Sequence, residues 1–340
     1  MARSNWFAAL AAGVCVSLAT ATAGVAQPVT FKDKTIRIIV GFGPGGGYDS
    51  YARMLARHLG QYVPGTPRIV VENMPGAGSL VAVRWLDGPA PKDGTAIVAF
   101  NPGLITQSIL EPKKVMNINF ANYNWVGNLT RDQRICYVWA AKGIKTFDEF
   151  RGGQARIFGV PAPGVASWVN IKTMEGLLGL KTKIIAGYKG SADIRIAIER
   201  GELDGDCGAW SSLPQDWVDG KKIVPVLKFS RTLPDGAPAN IAYAGDLMKS
   251  DADKATLDVV NGAAEIGRPY IASLKVPAPA IAVLRKAFDA AANSAAMKED
   301  SKKARLPLDP MTAAQVQDQL KKIYSAPNEA VARAKAIMKR

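Results

Sequence analysis

The 340-residue chain carries one histidine, His58, and three cysteines, Cys15, Cys136 and Cys207. A single imidazole, with no thiol or acid placed beside it at ligand spacing, supports neither a hydrolytic triad nor a metal centre. No catalytic residue, metal or cofactor is therefore expected. What recurs instead is glycine beside proline. Gly43-Pro44-Gly45-Gly46-Gly47, Pro75-Gly76-Ala77-Gly78, Asn101-Pro102-Gly103 and Pro161-Ala162-Pro163-Gly164 each follow a strand-like apolar run and precede a helix-like one. Glycine lets backbone N–H groups approach an anion closely, and the N-terminus of the helix behind adds a favourable potential. The chemistry this pattern offers is anion capture without turnover. Gly41-Phe42-Gly43-Pro44-Gly45-Gly46 formally matches G-x-G-x-x-G, with Glu72 at the end of the next strand. The inserted proline and the further glycine lengthen that loop beyond a tight dinucleotide turn, so the anion-binding physics is kept and the nicotinamide reading is set aside.

The elements that must carry these loops alternate. Strands are expected over 36–41, 68–72 and 95–100, each leading through a glycine-containing loop into a helix, the first capped by Asp49 or Ser50 and the second begun at Ser79. The middle of the chain repeats the plan, with strands over 135–141, 156–160, 183–186, 203–207 and 223–229 and helices over 165–178 and 191–200. Thr146 with Glu149 and Thr312 with Gln315 read as capping boxes. The C-terminal part reads as helical over 279–292, 312–324 and 328–339. This is an α/β layout of two lobes, in which ligands sit beyond the carboxyl ends of parallel strands. The expected division is 27–128 plus 246–340 for one lobe and 129–245 for the other, with the chain crossing near Leu129 and near Tyr243.

Before these lobes, residues 1–26 read as a cleaved secretory signal peptide: Arg3, an apolar run from Trp6 to about Ala23, then small residues through Ala26, leaving Gln27 as the mature start. Export makes the remaining pair, Cys136 and Cys207, candidates for a disulfide, with two buried thiols as the alternative. The formal net charge is +14, which concentrates anions near the surface. The basic residues are scattered and form no nucleic-acid motif, so nucleic acid is not an expected partner.

Ile38-Ile39-Val40-Gly41-Phe42-Gly43-Pro44-Gly45-Gly46-Gly47-Tyr48-Asp49 resembles the first motif of the Bug family, the TctC-like periplasmic substrate-binding proteins of tripartite tricarboxylate transporters. Val70-Val71-Glu72-Asn73-Met74-Pro75-Gly76-Ala77-Gly78 is similar to its second motif, and Tyr188-Lys189-Gly190-Ser191 followed by Glu202-Leu203-Asp204 to its second-lobe pattern. The resemblance implies a type II, Venus-flytrap fold with a hinge. It also implies a monomer that takes up a small organic carboxylate in the periplasm and hands it to membrane permease subunits; a sensing role through a membrane receptor is the alternative. Carried over by position, the first lobe would offer Gly45, Gly46, Gly47, Tyr48, Asp49, Pro75, Gly76, Ala77, Gly78 and Ser79. The second would offer Pro163, Gly164, Ser167, Tyr188, Gly190 and Ser191. The loop around Ser167 carries Val165, Ala166 and Trp168 where relatives have hydroxyl residues, so Tyr48, Tyr188, Trp168 and Trp210 become candidates for a less polar or aromatic acid. Asp49 either caps its helix, pointing away from the ligand, or meets a donor on it.

Overall fold

The computed structural model describes residues 29–234 and 236–339. The expected signal peptide, the cleavage point expected before Gln27, and Cys15 lie outside them. In chain order the first half runs β1 (Thr35–Val40), α1 (Gly47–Leu59), β2 (Arg68–Asn73), α2 (Leu80–Asp87), β3 (Ala96–Ala99), α3 (Gly103–Leu110), β4 (Asn124–Asn128) and β5 (Arg134–Trp139). Then follow α4 (Phe147–Arg151), β6 (Arg156–Val160), α5 (Ala166–Leu178), β7 (Thr182–Ala186), α6 (Ser191–Glu199), β8 (Gly205–Ala209), α7 (Gln215–Asp219), β9 (Ile223–Lys228) and β10 (Ala242–Tyr243). The chain closes with α8 (Asp251–Asn261), β11 (Pro269–Ala272), α9 (Ala278–Asn293), α10 (Ala295–Ala304), β12 (Met311–Thr312), α11 (Ala313–Tyr324) and α12 (Asn328–Lys339).

The described strands form two sheets of six, ordered β12-β4-β11-β3-β1-β2 and β10-β9-β5-β8-β6-β7. β2, β1 and β3 are parallel, as are β7, β6 and β8. Each set meets a strand running the other way, β11 beside β3 and β5 beside β8. Both faces of each sheet are covered. In β1, Ile36, Ile38 and Val40 join one cluster with Tyr51, Met54, Leu55 and Phe288, while Ile39 joins another with Val98, Phe100, Trp125 and Val316. Burial on two sides is why the strand reads as a continuous apolar run rather than an alternating one. Gly127 shows how closely the layers fit: a Cβ there would overlap the Phe288 ring, so Phe288 packs directly on β4 backbone.

The C-terminal tail is divided between the sheets. α9 and α11 pack on β4 of the first sheet, and α10 packs on α1. α8 and α12 pack on each other and on α5, and Leu257, Val260, Ala334 and Ile337 enter the cluster containing Cys136 and Phe158. The chain therefore stays with the second sheet past Tyr243 through α8, later than the expected crossing; Ala263 and Ile266 then join the cluster of the first sheet, and the chain returns to the second at α12. The reason is amphipathicity: α8 and α12 each bury one stripe, and the open face beside α5 accepts both. Leu129–Arg268 and Gly267–Thr130 backbone hydrogen bonds tie the two crossing segments together.

One helix start differs from the sequence reading: Gly46, not Asp49 or Ser50, is the N-cap of α1. Ser79 is the N-cap of α2, where that helix was expected to begin, but its side chain makes no cap; its backbone is left-handed, and its Oγ accepts from the Asn101 N–H at 2.8 Å. Thr312 and Gln315 do form a capping box. Thr146 accepts from the Glu149 N–H, but the Glu149 carboxylate reaches Lys145 N–H instead. Cys136 and Cys207 face each other across β5 and β8 and are joined in a disulfide. Among the described residues, no helix is long and apolar enough to cross a membrane.

Candidate ligand-binding site

Between the two sheets lies a cavity of about 60 Å³. That is several times what one water molecule needs and well below a drug-sized pocket. Phe42, Gly46, Gly47, Tyr48, Asn101 and Arg268 close it from the first lobe. Ser167, Ser191, Arg134, Arg195, Asp206 and Ser212 are among the residues that close it from the second. Three helices begin at its wall: α1 at Gly47, α5 just before Ser167, and α6 at Ser191. None has a side-chain cap at its own N-cap residue, which is Gly46, Val165 and Gly190 respectively. The Ala166 N–H that opens α5 is taken by the Asn101 side chain, so the N-termini of α1 and α6, one from each lobe, are the ones left without a side-chain cap beside this space, an arrangement suited to a small anion.

The glycine loops touch the opposite lobe directly. Gly43 N–H donates to the Lys189 carbonyl at 2.9 Å, and Arg195 Nη2 donates to the Gly45 carbonyl at 2.9 Å. A Cβ on Gly46 would come within 2.9 Å of Ser191 Oγ, and one on Gly47 would overlap Ser212 Oγ. Asn101 bridges the lobes a second time, its Oδ1 accepting from Gly103 N–H at 2.7 Å and Ala166 N–H at 3.1 Å.

Of the sequence candidates, Gly46, Gly47, Tyr48, Ser167 and Ser191 line the cavity. Gly45 lies in the adjoining groove with Trp210 and Arg305. Asp49 is buried with its carboxylate turned to Gly45 N–H, Arg53 and Asn73, at 2.9–3.0 Å. Burial pushes its pKa up, but these hydrogen bonds outweigh that and hold it below the usual range. It therefore pins its own loop, the capping alternative in modified form. The second-motif loop is structural at this cleft. A Cβ on Gly78 would overlap Val165 across the lobes, and one on Gly76 would come within 2.7 Å of Val81. Pro75 and Ala77 are exposed on that turn and Ser79 is buried in it; none of the three lines the cavity. Pro163 is exposed, Gly164 lies against Gln107, and Gly190 lies against Phe42 and Gly43. Tyr188 packs with Ile135 and Trp210 in the second lobe's core, and Trp168 packs against the Cys136 cluster. Of the four aromatic candidates, only Tyr48 lines the cavity, and its ring carries the Arg268 guanidinium at 4.6 Å.

The charged wall is what the sequence reading missed. Arg268 and Arg134 are almost wholly buried, at 2% and 6% exposure, as is Asp206 at 4%. Asp132 joins the two arginines, 2.8 Å from Arg134 Nη1 and 3.4 Å from Arg268 Nη1. Arg134 Nε also donates to Asn170 Oδ1 at 2.6 Å, and Arg268 Nη2 donates to Ser212 Oγ at 3.2 Å. Asp206 lies among apolar and backbone groups. Burial raises its pKa to about 6, opposed by the charges of Arg134 and Arg195 and by the Cys207 N–H. The signal in the sequence was the pair of charges at the crossings, Asp132-Gln133-Arg134 and Gly267-Arg268: charge placed where the chain passes between lobes faces the cleft. His58 lies elsewhere, its Nε2 2.9 Å from Asp300 Oδ2 beside Arg57. Among the described residues, no cluster of three or more metal-ligating side chains occurs.

With this geometry in view, comparison with known proteins is informative. No family model matches the sequence. BugT of Bordetella pertussis is 45% identical over 69 residues, 19% of this chain and 21% of that protein. A UPF0065 protein from the tcbD-tcbE intergenic region of Pseudomonas sp. (strain P51) is 28% identical over 102 residues, 30% of each chain. These matches thus span about a third or less of the curated relatives. Solved structures extend the likeness to nearly the whole fold. The periplasmic binding protein BugD superposes with a TM-score of 0.71 at 18% identity, covering 88% of this chain and 96% of BugD. MatC of Rhodopseudomonas palustris, solved with bound malate, gives 0.69 at 17% identity over 89% of this chain and 98% of MatC. An R. palustris protein solved with adipate also gives 0.69, at 15% identity over 88% and 97%. The chain is Bug-like, in sequence and in fold. Its two mixed sheets form the two lobes of a periplasmic-binding-protein architecture, and the Bug-like first motif is the loop that carries Gly46, Gly47 and Tyr48 to the cleft.

Proposed function

We propose that this Bug-like protein is an extracytoplasmic solute-binding protein. It captures a small organic carboxylate between its lobes and delivers it to a tripartite tricarboxylate-type transporter. The observation that carries the reading is the convergence of the uncapped N-termini of α1 and α6 and three guanidinium groups, from both lobes, on one cavity. An anion bound there touches both lobes at once, so it favours the joined arrangement by differential contact. The structural neighbours solved with malate and adipate support a carboxylate as the class of solute.

The site needs no turnover, because its donors are backbone amides and arginines held by other groups rather than a nucleophile with a base. Lobe membership follows the packing, with α8 and α12 assigned to the second lobe and the hinge at residues 129–133 and 264–268. A thermal-shift and calorimetric screen of mono-, di- and aromatic carboxylates tests the reading. At least one acid should bind with micromolar affinity, about −8 kcal/mol, and raise the melting temperature; unchanged melting across the whole panel would sink it. Crosslinking the mature protein to permease subunits in membranes tests delivery, and capture of a receptor alone would favour the sensing role.

A further inference from the structure

The cavity wall carries polar atoms that the protein itself leaves unpaired. Asp206 Oδ1 and Arg268 Nε are buried without a hydrogen-bond partner among the described residues. The Tyr48 hydroxyl, near Arg268, forms no hydrogen bond of good geometry. All three residues line the same space. A buried polar atom without a partner is costly, and here an acceptor, a donor and a hydroxyl are all left open at one site. The charges are also unequal. Arg134, Arg195 and Arg268 face two carboxylates, Asp206 in the wall and Asp132 behind it, so one positive charge remains to be met.

A plain carboxylate satisfies the arginines and the helix N-termini but brings a second acceptor to Asp206 Oδ1, which already lacks a donor. Building on the carboxylate reading above, we infer that the site selects an organic acid bearing a hydrogen-bond donor, a hydroxyl or an ammonium, near its carboxylate, with Asp206 Oδ1 accepting from that donor. Asp206 is thus a specificity-determining residue. Because the cavity is small, the donor must stand within a few bonds of the carboxylate.

Skeleton-matched acids test this by calorimetry at pH 7.5: 2-hydroxysuccinate and aspartate against succinate, and lactate and alanine against propionate. The hydroxyl or the ammonium member of a set should bind at least tenfold more tightly than the plain acid. Asp206→Ala should erase that preference. Asp206→Asn, whose amide oxygen still accepts but carries no charge, should keep a hydroxyl preference and lose an ammonium one, which tells the two donors apart. Each variant is first melted without ligand, and Asp206→Leu replaces Asp206→Ala if the latter does not fold. If the plain acids bind as tightly as their substituted partners, the inference falls while the carboxylate-binding reading stands, and water serves those atoms. A preference that survives Asp206→Ala, or Asp206→Leu where that replaces it, also overturns it. Binding by none of the six acids counts against both readings.

Discussion

Replacing Gly47 by alanine separates closure of the cleft from stability of the fold. Gly47 is the first residue of α1, where alanine is at least as well tolerated as glycine. Its Cβ would meet nothing in its own helix that must move. Across the cleft, however, it would overlap Ser212 Oγ and stand 3.2 Å from Ser212 Cβ, with Arg268 Nη2 of its own lobe 3.0 Å away and closing off retreat. Arg268 is held by Asp132, the Gly267 carbonyl and the Tyr48 and Tyr51 rings, so it cannot retreat without breaking several contacts. Overpacking of this kind costs about 1–3 kcal/mol. If the cost falls only on the joined arrangement, ligand affinity drops by roughly 5- to 160-fold, while the ligand-free melting temperature stays within a degree or two of wild type. Adding Ser212→Ala, which removes the overlapping oxygen, should recover part of that loss. Calorimetry with the tightest acid from the screen gives the affinity, and small-angle scattering with and without it gives the change in shape. Wild-type affinity in Gly47→Ala would mean that the ligand is held without the α1 loop meeting Ser212 and Arg268, and the cleft described here would not be the site.

Three further outcomes follow from the same contacts. The Cys136–Cys207 bond closes a loop with a sequence separation of 71, so the chain-entropy model gives about 3–5 kcal/mol of stabilisation; the Cys136→Ala/Cys207→Ala pair should melt well below wild type, and two free thiols in the native exported protein would remove the basis for this. Asp206 has its pKa raised by burial from 3.8 to about 6, so the folded state holds a proton that the unfolded state has released between about pH 4 and 6. Stability therefore falls as pH rises through that window, by about 3 kcal/mol. The melting temperature of ligand-free wild type relative to Asp206→Asn should drop between pH 4 and 7, and a constant difference would refute the assignment. Asp49→Ala leaves Gly45 N–H, Asn73 and Arg53 without their acceptor and should cost about 1–3 kcal/mol in denaturant unfolding; a loss of affinity with no loss of stability would mean that Asp49 meets the ligand after all.

The glycine-rich loops were legible because their physics is local. A strand, a proline-glycine turn and a helix leave the same residues in the same order whatever surrounds them: α5 and α6 begin within one residue of where the pattern placed them, and α1, whose cap was expected at Asp49 or Ser50, is capped a turn earlier at Gly46. β11 was not legible. Pro269-Tyr270-Ile271-Ala272 is four residues long and preceded by no turn signal, yet it lies between β3 and β4 in the middle of the first sheet. What makes it a strand is the pair of open edges waiting on either side, a tertiary cause. The division of the tail between lobes was hidden for a related reason. α8, α11 and α12 have similar amphipathic patterns, and nothing in a helix's own sequence says which of two sheets its apolar stripe will cover.

Missing β11 also hid Arg268, and with it the logic of the cleft. The loops supply donors to an anion but discriminate little between one small carboxylate and another, because backbone N–H groups read charge and shape. Discrimination has to come from side chains whose needs the protein leaves unmet, since only there does a wrong ligand leave a buried polar atom without a partner. Ser79 and Asp49, both carried over as candidates by their position in the two Bug-like motifs, have all their needs met inside the first lobe. Asp206 and Arg268 do not. They come from different lobes and are separated by some sixty residues of chain, so they come to line one cavity only after both sheets have formed and the crossings have been tied together. On the function proposed above, the loops would set the class of solute, and the buried, incompletely paired charges beside the crossings would set which member of that class is retained.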